Sequence, residues 1–277
     1  MGQKIELEIS DKLLNKIDSM IDGYKIKNRQ RAIELILNRA LVAERIKKAV
    51  ILAGGKGTRM RPLTYEIPKP LIPVQGKPLV QHILDLLAKY NIRDIIFSIG
   101  YLGDKIKEYF GNGHKFGFDI TYVEEENELG TAGPLNLMRD RLSEPFVMFN
   151  GDILVNIDLF DFIMFHTKEG GLATIALKPV KDPSRYGVVH LKGNQIVEFI
   201  EKPDKTIRYG LINAGVYVME PDVIDYIPEG EAMIEQDVFP KLANEGKLYG
   251  YPFDGQWFDT GTHESYERAI KEWKGIK

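Results

Sequence analysis

The chain has 277 residues, of which 44% are hydrophobic, enough for one large α/β domain and a small additional module. It contains no cysteine, which excludes disulfides, thiolate nucleophiles and Cys-ligated zinc. Its net charge is −3, with a basic excess in residues 1–48 and an acidic excess in the remainder. No apolar run is long enough to cross a membrane and the first residues lack a secretory signal, so we expect a cytoplasmic protein without a membrane partner.

The first residues predict a small module of one strand and two helices. Residues 4–10 alternate apolar and charged side chains, a pattern typical of a strand. Apolar residues at helical spacing follow between Leu13 and Ile21, Gly23 ends that helix, and Asn28 can cap a second one. So few elements offer too little surface for a core of their own, and we expect this module to pair with a second copy of the chain.

This segment resembles the ribbon-helix-helix family of transcriptional repressors, with residues 28–33 where that family begins its second helix. The resemblance implies a two-stranded ribbon whose outward side chains, here Lys4, Glu6 and Glu8, would face the DNA major groove. Four carboxylates on such a ribbon oppose the electrostatic attraction that supplies most DNA affinity. We therefore favour homodimerisation as the role of residues 1–47, with DNA binding as the alternative.

From Lys48 onward, short strands alternate with helices, and this order predicts an α/β layered domain with a mainly parallel sheet. The boundary near Lys47-Lys48 gives residues 1–47 and 48–277 as the two domains. The candidate strands are Ala49–Ala53, Asp94–Ile99, Asp119–Val123, Phe146–Asn150, Leu172–Lys178, Tyr186–His190, Gln195–Ile200, Ile212–Met219 and Lys247–Pro252. The candidate helices are Leu79–Tyr90, Lys105–Phe110, Ala132–Leu142, Leu159–Lys168, Ile234–Asn244 and His263–Trp273.

A glycine-rich loop, residues 54–57, follows the first strand of this domain directly. Glycines let the backbone approach a ligand closely and point several N–H groups at one anion. The spacing matches neither the Walker A motif nor the dinucleotide-binding fingerprint. Arg59, Arg61 and Lys69 come shortly afterwards, so three cations can converge on a polyphosphate. The alternative interpretation is a solvated loop with surface cations.

This block resembles the signature of the sugar-1-phosphate nucleotidyltransferases, the NDP-sugar pyrophosphorylases. The resemblance implies a three-layer αβα, Rossmann-like domain with a mainly parallel mixed sheet. Such a domain makes an NDP-sugar and pyrophosphate from a nucleoside triphosphate and a sugar 1-phosphate, without an enzyme nucleophile. The sequence has no hexapeptide-repeat β-helix after this domain, so we expect the N-terminal module to serve for assembly. Further motifs of the family, in its order, are Lys77-Pro78-Leu79, Leu129-Gly130-Thr131-Ala132-Gly133, Asn150-Gly151-Asp152, Glu201-Lys202-Pro203, Asn213-Ala214-Gly215 and Trp257-Phe258-Asp259-Thr260-Gly261-Thr262.

The resemblance also implies roles for charged residues near the phosphates. Arg59 would hold the triphosphate and the departing pyrophosphate, and Lys69 would contact the reacting α-phosphate. Asp152 and Asp259 would bind Mg²⁺, the expected cofactor. Without the resemblance, Asp152 could equally be a turn or cap residue and Asp259 a surface acid. The expected nucleotide-binding residues of the loop region are Leu52, Ala53, Gly54, Gly55, Gly57 and Thr58.

On the sugar side, the resemblance implies that Lys202 pairs with the sugar phosphate, that Glu201 and Asn213 bind hydroxyls, and that Gly187 contacts the ring through its backbone. The alternative interpretation of Glu201-Lys202-Pro203 is an ordinary loop, because Glu-Lys-Pro alone is a common loop tripeptide.

For the base, Gly130 occupies the family's backbone-contact position and Glu125 its side-chain position, in a register that could slip by one residue. A carboxylate can accept two N–H bonds from the guanine edge, which favours GTP. The Leu129–Pro134 run resembles mannose-1-phosphate guanylyltransferases, so mannose 1-phosphate is the expected sugar. The alternatives are a uridylyl- or thymidylyltransferase acting on glucose 1-phosphate, and a DNA-binding regulator that senses a sugar nucleotide.

Overall fold

The computed structural model describes residues 6–24, 26–204 and 208–276, apart from the side chains of residues 38–44. The chain divides into two units, Met1–Glu44 and Arg45–Lys277. Among the described residues, no helix combines the length and the apolar character needed to cross a bilayer.

The first unit contains helix α1 (Asp11–Asp18) and most of helix α2 (Arg29–Arg45). Asn28 Oδ1 accepts a hydrogen bond from the backbone N–H of Arg31 at 2.9 Å, which confirms the predicted cap of the second helix. The guanidinium of Arg29 donates to both carboxylate oxygens of Asp18, at 2.6 and 2.8 Å. This bidentate pair joins the end of α1 to the start of α2.

The strand predicted at residues 4–10 is not formed in its described part, residues 6–10, while Lys4 and Ile5 lie outside the described residues. A strand needs an edge with which to exchange backbone hydrogen bonds, and the described part of this unit contributes helices instead. Large apolar side chains of the unit are exposed, namely Leu7, Leu13, Tyr24, Ile36 and Leu37.

The second unit alternates strands and helices. Its strands are β1 (Lys48–Ala53), β2 (Pro73–Val74), β3 (Lys77–Pro78), β4 (Asp94–Ile99), β5 (Asp119–Glu124), β6 (Phe146–Asn150), β7 (Ile153–Val155), β8 (Ala173–Lys181), β9 (Gly187–Lys192), β10 (Gln195–Glu201), β11 (Tyr209–Met219), β12 (Leu248–Pro252) and β13 (Trp257–Asp259). Its helices are α3 (Leu79–Lys89), α4 (Gly103–Phe110), α5 (Gly133–Leu137), α6 (Leu159–Glu169), α7 (Phe239–Asn244) and α8 (His263–Glu272).

Nine of the described strands form one sheet in the order β5-β4-β1-β6-β11-β8-β12-β10-β9. Its first part, β5 to β6, is entirely parallel. Strands β1, β4 and β6 are buried at nearly every residue. Such continuous burial is typical of parallel strands with both faces covered, and their apolar runs are the reason these segments were recognisable as strands.

The second part of the sheet makes it mixed, as predicted, but with more antiparallel pairs than the predicted mainly parallel arrangement has. β11 is antiparallel to β6 and β8, and β10 is antiparallel to β9 and β12, whereas β8 and β12 are parallel. For β9 and β10 the reason is the length of the connection, because parallel neighbours need a crossover of about a dozen residues or more. Gly193-Asn194 joins β9 to β10 as a two-residue hairpin, which permits only an antiparallel pair. The sheet is therefore mixed.

The chain reverses its direction across the sheet at β1. After β1 it adds β4 and then β5 on one side, and it returns to add β6 on the other side. Leu52 and Asn150 are register neighbours at the carboxyl ends of β1 and β6. Loops that leave two such strands in opposite directions open a crevice, which is where α/β proteins commonly bind ligands.

The short antiparallel pair of β7 and β13 brings a late segment of the chain beside the loop after β6. Ile153 lies opposite Asp259. The backbone N–H and the hydroxyl of Thr260 both donate to the carbonyl oxygen of Asp152, at 3.1 and 2.7 Å. The indole N–H of Trp257 donates to the carbonyl of Ala214 at 2.8 Å. These bonds place two acids that are remote in sequence next to each other.

The nine predicted strands are confirmed as the members of this sheet, with ends that differ by a few residues. Two predicted helices are less regular. The one at 132–142 is α-helical over Gly133–Leu137 and ends at Met138, whose backbone leaves the helical region. The one at 234–244 starts with a π-helical turn, because Pro240 lacks an N–H and crowds the preceding turn, which widens.

Candidate active site

A cavity of about 440 Å³ opens at the carboxyl ends of β1 and β6, the edge where the sheet order reverses. It is of the size that small-molecule sites commonly have. All the residues predicted as catalytic or nucleotide-binding line this cavity: Leu52, Ala53, Gly54, Gly55, Gly57, Thr58, Arg59, Lys69, Glu125, Gly130 and Asp152.

The glycine-rich loop forms one wall of the cavity, and two of its glycines are required by close contacts. A Cβ at Gly54 would lie 2.5 Å from Glu125 Oε1. Gly57 has a φ of +59°, and a Cβ there would lie 2.9 Å from the methyl group of Thr64. The hydroxyl of Thr64 donates to the carbonyl of Gly57 at 2.8 Å and fixes the loop. The backbone N–H groups are thus held at the surface of the cavity.

The structure brings two of the three predicted cations to the cavity. Arg59 and Lys69 line it. Arg61 does not, since its guanidinium lies 5.0 Å from the centre of the Tyr65 ring. Arg61 is exposed and in cation–π contact with Tyr65, so its approach to a polyphosphate stays a prediction.

Lys69 and Asp152 form a tight ion pair within the cavity wall. The ammonium of Lys69 lies 2.5 Å from Asp152 Oδ2, and Lys69 is only 7% exposed. Burial alone would raise the pKa of Asp152, but the charge and hydrogen bond of Lys69, together with the charge of Arg59, outweigh it and hold the pKa below its ordinary value. Asp152 is therefore ionised at neutral pH.

Asp259 is the second carboxylate of this cluster. Its Oδ1 accepts the backbone N–H of Gly261 at 2.7 Å, and its Oδ2 lies 3.5 Å from the hydroxyl of Tyr186. Burial, and then the negative charge of Asp152, raise the pKa of Asp259 against the opposing charges of Lys69 and Arg59. The bonds of Thr260 to the carbonyl of Asp152 and the pairing of Asp259 with Ile153 bring the two acids together.

The pair of Asp152 and Asp259 has the donor chemistry of a hard divalent cation site. The described residues contain no group of three or more acidic or histidine side chains suited to a metal. A cation such as Mg²⁺ needs no more than one or two carboxylates, because it takes its remaining ligands from phosphates and water. A cation between these acids would also relieve the repulsion that raises the pKa of Asp259.

Glu125 closes the opposite side of the cavity. Its Oε1 accepts the hydroxyl of Ser98 at 2.7 Å, and its Oε2 accepts the backbone N–H of Leu129 at 3.3 Å. Burial raises the pKa of Glu125 against these two bonds. The neighbouring Glu124 is exposed and pairs with Lys107 at 2.5 Å, so a register shifted by one residue toward the N-terminus would not reach the cavity.

Three of the residues predicted on the sugar side form a second group beside the cavity. Gly187 and Glu201 are opposite each other on β9 and β10. A Cβ at Gly187 would lie 2.9 Å from Glu201 Oε2. The ammonium of Lys202 lies 3.2 Å from Glu201 Oε1, and its backbone N–H donates to the carbonyl of Tyr186 at 3.1 Å. None of these three is among the residues that line the 440 Å³ cavity.

Asn213, the fourth predicted sugar-side residue, also lies off the cavity lining and is joined to the group through Tyr217. Asn213 Nδ2 donates to the hydroxyl of Tyr217 at 2.9 Å. Tyr217 is fully buried, and the charges of Glu235 and Glu201 act on its hydroxyl. The sugar-side residues thus lie together around Tyr186 and Tyr217, next to the carboxylate pair.

Residues 48–274 match the family model described as nucleotidyl transferase. The chain belongs to the nucleotidyl transferase family. Among its relatives, mannose-1-phosphate guanyltransferase beta-A of Xenopus laevis is 38% identical over 225 residues, which are 79% of this chain and 62% of that protein. Mannose-1-phosphate guanylyltransferase catalytic subunit beta of Dictyostelium discoideum is 38% identical over 224 residues, with the same coverage of 79% and 62%. The chain therefore spans less than two thirds of the length of these relatives.

Solved structures of the nucleotidyl transferase family have the same fold. A Bacillus anthracis protein described as a glucose-1-phosphate thymidylyltransferase, in complex with sucrose, superposes with a TM-score of 0.76 at 31% identity and covers 83% of this chain and 96% of its own. HddC from Yersinia pseudotuberculosis complexed with GMP-PN has a TM-score of 0.71 at 26% identity and covers 83% of this chain and 100% of its own. The predicted family and the mixed α/β fold are confirmed, while the ribbon-helix-helix resemblance stays a prediction.

Two residues of the nucleotidyl transferase unit received no role from the sequence. Asn150 lines the cavity, and its signal was its place directly before Gly151-Asp152 at a strand end. Glu235 is buried, and its Oε2 accepts the hydroxyl of Thr131 at 2.5 Å. Burial raises the pKa of Glu235. A carboxylate within a predicted helix usually indicates a solvated face, so the sequence carried no signal for this one.

Proposed function

We propose that the chain is a sugar-1-phosphate nucleotidyltransferase, with GTP and mannose 1-phosphate as its preferred substrates. The observation that carries the proposal is the cluster in which Arg59, Lys69 and Asp152 line the cavity, with the carboxylate of Asp259 beside them though not in the cavity lining. Membership of the nucleotidyl transferase family supports it, as do the guanylyltransferase relatives at 38% identity.

In the proposed reaction, a phosphate oxygen of the sugar 1-phosphate attacks the α-phosphorus of the nucleotide. A new oxygen–phosphorus bond forms while the bond to the bridging oxygen of the β-phosphate breaks, and pyrophosphate leaves. The attacking oxygen is already anionic, so the step needs no enzyme nucleophile. The protein has to align two anions and to stabilise the charge that develops on the leaving group.

The residues of the cluster suit these tasks. Arg59 and the N–H groups of the glycine-rich loop would bind the triphosphate and the departing pyrophosphate, and Lys69 would contact the α-phosphate. Because Lys69 is almost entirely buried, its charge acts through a medium of low dielectric constant and is screened little by water. Asp152 and Asp259 would hold Mg²⁺, which neutralises charge on the reacting phosphates when bound.

The preference for guanine rests on Glu125. Each of its carboxylate oxygens has a second lone pair beyond the bonds from Ser98 and Leu129, and these can accept the N1–H and N2–H of guanine. Uracil and thymine offer one N–H flanked by carbonyl oxygens, which a carboxylate repels. The HddC relative that is complexed with GMP-PN supports this assignment.

For the sugar, Lys202 would pair with the phosphate, Glu201 and Asn213 would bind hydroxyls, and the backbone of Gly187 would contact the ring. The ion pair of Lys202 and Glu201 at 3.2 Å supports a joint role, since the carboxylate can orient the ammonium toward an anion.

Pyrophosphate release from GTP, UTP, TTP and CTP, each with mannose 1-phosphate and with glucose 1-phosphate in the presence of Mg²⁺, tests the proposal. We expect the highest kcat/KM for GTP with mannose 1-phosphate. Asp152→Asn should reduce kcat by about 10²-fold or more. Preference for UTP or TTP with glucose 1-phosphate would replace the guanylyltransferase assignment, and absence of pyrophosphate from every pair would overturn the enzyme itself.

We further propose that residues 1–47 form a ribbon-helix-helix-like module that joins two copies of the chain. Its exposed apolar side chains support this, since Leu7 is 63% and Leu13 49% exposed. A second copy would provide both the missing strand edge and an apolar surface. Glu6 and Glu8 disfavour DNA as the partner. A DNA-binding regulator would instead bind duplex DNA with a steep dependence on salt and a response to sugar nucleotide.

A further inference from the structure

One buried polar atom of the cavity wall has no hydrogen-bond partner. Among the described residues, Asn150 Oδ1 is the one buried side-chain nitrogen or oxygen that has no hydrogen-bond partner. A buried acceptor without a donor costs about 1–3 kcal/mol, and such atoms in native proteins call for an explanation. Asn150 lines the cavity, so a bound ligand can supply the donor.

The amide of Asn150 is held in place from its other side. Gly215 donates its backbone N–H to Asn213 Oδ1 at 2.9 Å, which turns Asn213 Nδ2 toward the hydroxyl of Tyr217, 2.9 Å away. Burial raises the pKa of Tyr217, and the side chain of Asn150 is among the groups close enough to this hydroxyl to oppose that shift. The amide of Asn150 thus lies beside the fully buried Tyr217, and its oxygen is an acceptor without a donor.

Packing restricts this amide further. Gly215 has a φ of +74°, and a Cβ there would lie 2.9 Å from Asn150 Nδ2. The absence of a side chain lets the amide rest directly against the backbone of β11. Asn150 is thus a rigid acceptor, oriented before any ligand binds, which is the arrangement that gives a hydrogen bond its selectivity.

The partner that Asn150 Oδ1 lacks must be a hydrogen-bond donor. Phosphates at neutral pH are acceptors, so they cannot be that partner. The strand order then shows that Asn150 is far from Glu125, the residue proposed to bind the base. Glu125 follows β5, while Asn150 ends β6, three strand spacings away or about 14 Å. Asn150 instead neighbours β11 and is joined through Tyr217 to Asn213, on the side assigned to the sugar.

We infer that Asn150 Oδ1 accepts a hydrogen bond from a hydroxyl of the sugar 1-phosphate, and that Tyr217 positions it. This inference rests on the proposed function. Asn150 is then a specificity-determining residue, because a sugar without that hydroxyl leaves the acceptor buried and unpaired. Tyr217 is a positioning residue that touches no substrate.

Kinetics with Asn150→Ala and Tyr217→Phe test this. For Asn150→Ala we expect the KM of mannose 1-phosphate to rise about tenfold, with the KM of GTP within twofold of the wild-type value. Tyr217→Phe, which keeps the ring, should give a smaller rise in the same KM. Asn112→Ala, at an exposed asparagine outside the cavity, is the matched control and should leave both KM values unchanged.

Monodeoxy sugar 1-phosphates identify the partner. For one of the 2-, 3-, 4- and 6-deoxy compounds, the wild-type enzyme should lose about tenfold in kcat/KM, and Asn150→Ala should lose nothing further. Additive losses with every deoxy sugar, or coupling to 2′- or 3′-deoxy GTP instead, would overturn the inference while leaving the enzyme assignment intact. A wild-type chain that releases no pyrophosphate from any substrate pair would overturn both.

Discussion

The ammonium of Lys69 lies 2.5 Å from a carboxylate oxygen of Asp152, inside a cavity wall that leaves Lys69 only 7% exposed. The side chain of Asp152 is 34% exposed, so the pair is part-buried, and removing Lys69 leaves the charge of Asp152 uncompensated. We expect Lys69→Met to reduce kcat by about 10²–10³-fold, since a preorganised cation is lost from the reacting phosphates. The melting temperature should fall as well. Pyrophosphate release and thermal unfolding measure the two effects.

The control for this variant is Arg139→Gln. Arg139 forms a comparably short pair with Asp225, at 2.6 Å, but on the exposed surface. Exposed ion pairs contribute about 0–1 kcal/mol, so both activity and melting temperature should change little. Equal effects of Lys69→Met and Arg139→Gln would contradict a special role of the pair of Lys69 and Asp152.

Glu125→Gln tests how the base is selected. Loss of the charged acceptor should lower kcat/KM for GTP by about 10–100-fold, as expected for a hydrogen bond to a charged group, and leave UTP within about threefold. Steady-state kinetics with the four nucleotides give the comparison. A uniform decrease for all four would show instead that Glu125 acts through its bonds to Ser98 and Leu129.

A substitution at Gly151 tests how tightly the backbone beside Asp152 is packed. A Cβ at Gly151 would lie 2.4 Å from the carbonyl oxygen of Leu52, which accepts the N–H of Gly151 at 2.8 Å. Gly151→Ala should therefore lower the free energy of unfolding by about 1–3 kcal/mol. Urea denaturation measures this. Gly55→Ala is the matched control, because a Cβ there meets nothing within 4 Å. Equal stability of the two variants would refute the argument.

The environment of His82 predicts that the free energy of unfolding depends on pH. Burial lowers the pKa of His82, although the bond to the carbonyl of Val74, at 3.0 Å, opposes this. Its Nδ1 accepts the indole N–H of Trp273 at 3.2 Å, which requires a neutral ring. The pKa of His82 in the folded protein lies below the unfolded value of about 6.5. The contribution of His82 to the free energy of unfolding is therefore complete above that pH, and it is lost as the pH falls through the folded pKa.

The free energy of unfolding of the wild type should therefore fall more steeply between pH 7.5 and 5 than that of His82→Gln, by about 1 kcal/mol. The amide of glutamine keeps a donor and an acceptor but does not titrate. Urea denaturation at several pH values gives both curves. Parallel curves would mean that His82 does not titrate differently in the folded and unfolded states.

The N-terminal unit makes a prediction about assembly. If its exposed apolar side chains meet a second copy, Leu13→Lys should convert a dimer into a monomer at micromolar concentration, as judged by sedimentation velocity, without a loss of pyrophosphate release per chain. Lys12→Ser, at the adjacent exposed position, should remain dimeric. A wild-type chain that sediments as a monomer would refute the dimerisation proposal.

The sequence predicted the strands of the sheet well because their apolar runs are local features. It predicted a mixed sheet but not which strands are antiparallel, although the hairpin at Gly193-Asn194 was a usable signal for one such pair. The position of Arg61 depends on a contact with Tyr65 that spacing alone cannot express. Glu235 is buried by tertiary packing, and a carboxylate within a helix gives no warning of that.

The meeting of Asp152 and Asp259 was expected from family resemblance alone, since no local pattern links the two positions. The bonds that join them involve Thr260 and the pairing of β7 with β13. Such long-range contacts are set by the whole fold, and a single sequence reveals them only when it resembles a family.

The bonds of Thr260 to the carbonyl of Asp152 can form only late in biosynthesis. A ribosome makes Asp152 long before it makes Asp259 and Thr260. Until that late stretch has left the exit tunnel, the nascent polypeptide lacks half of its acidic pair. Prematurely terminated products would therefore lack the proposed metal site, even where their first strands had already paired.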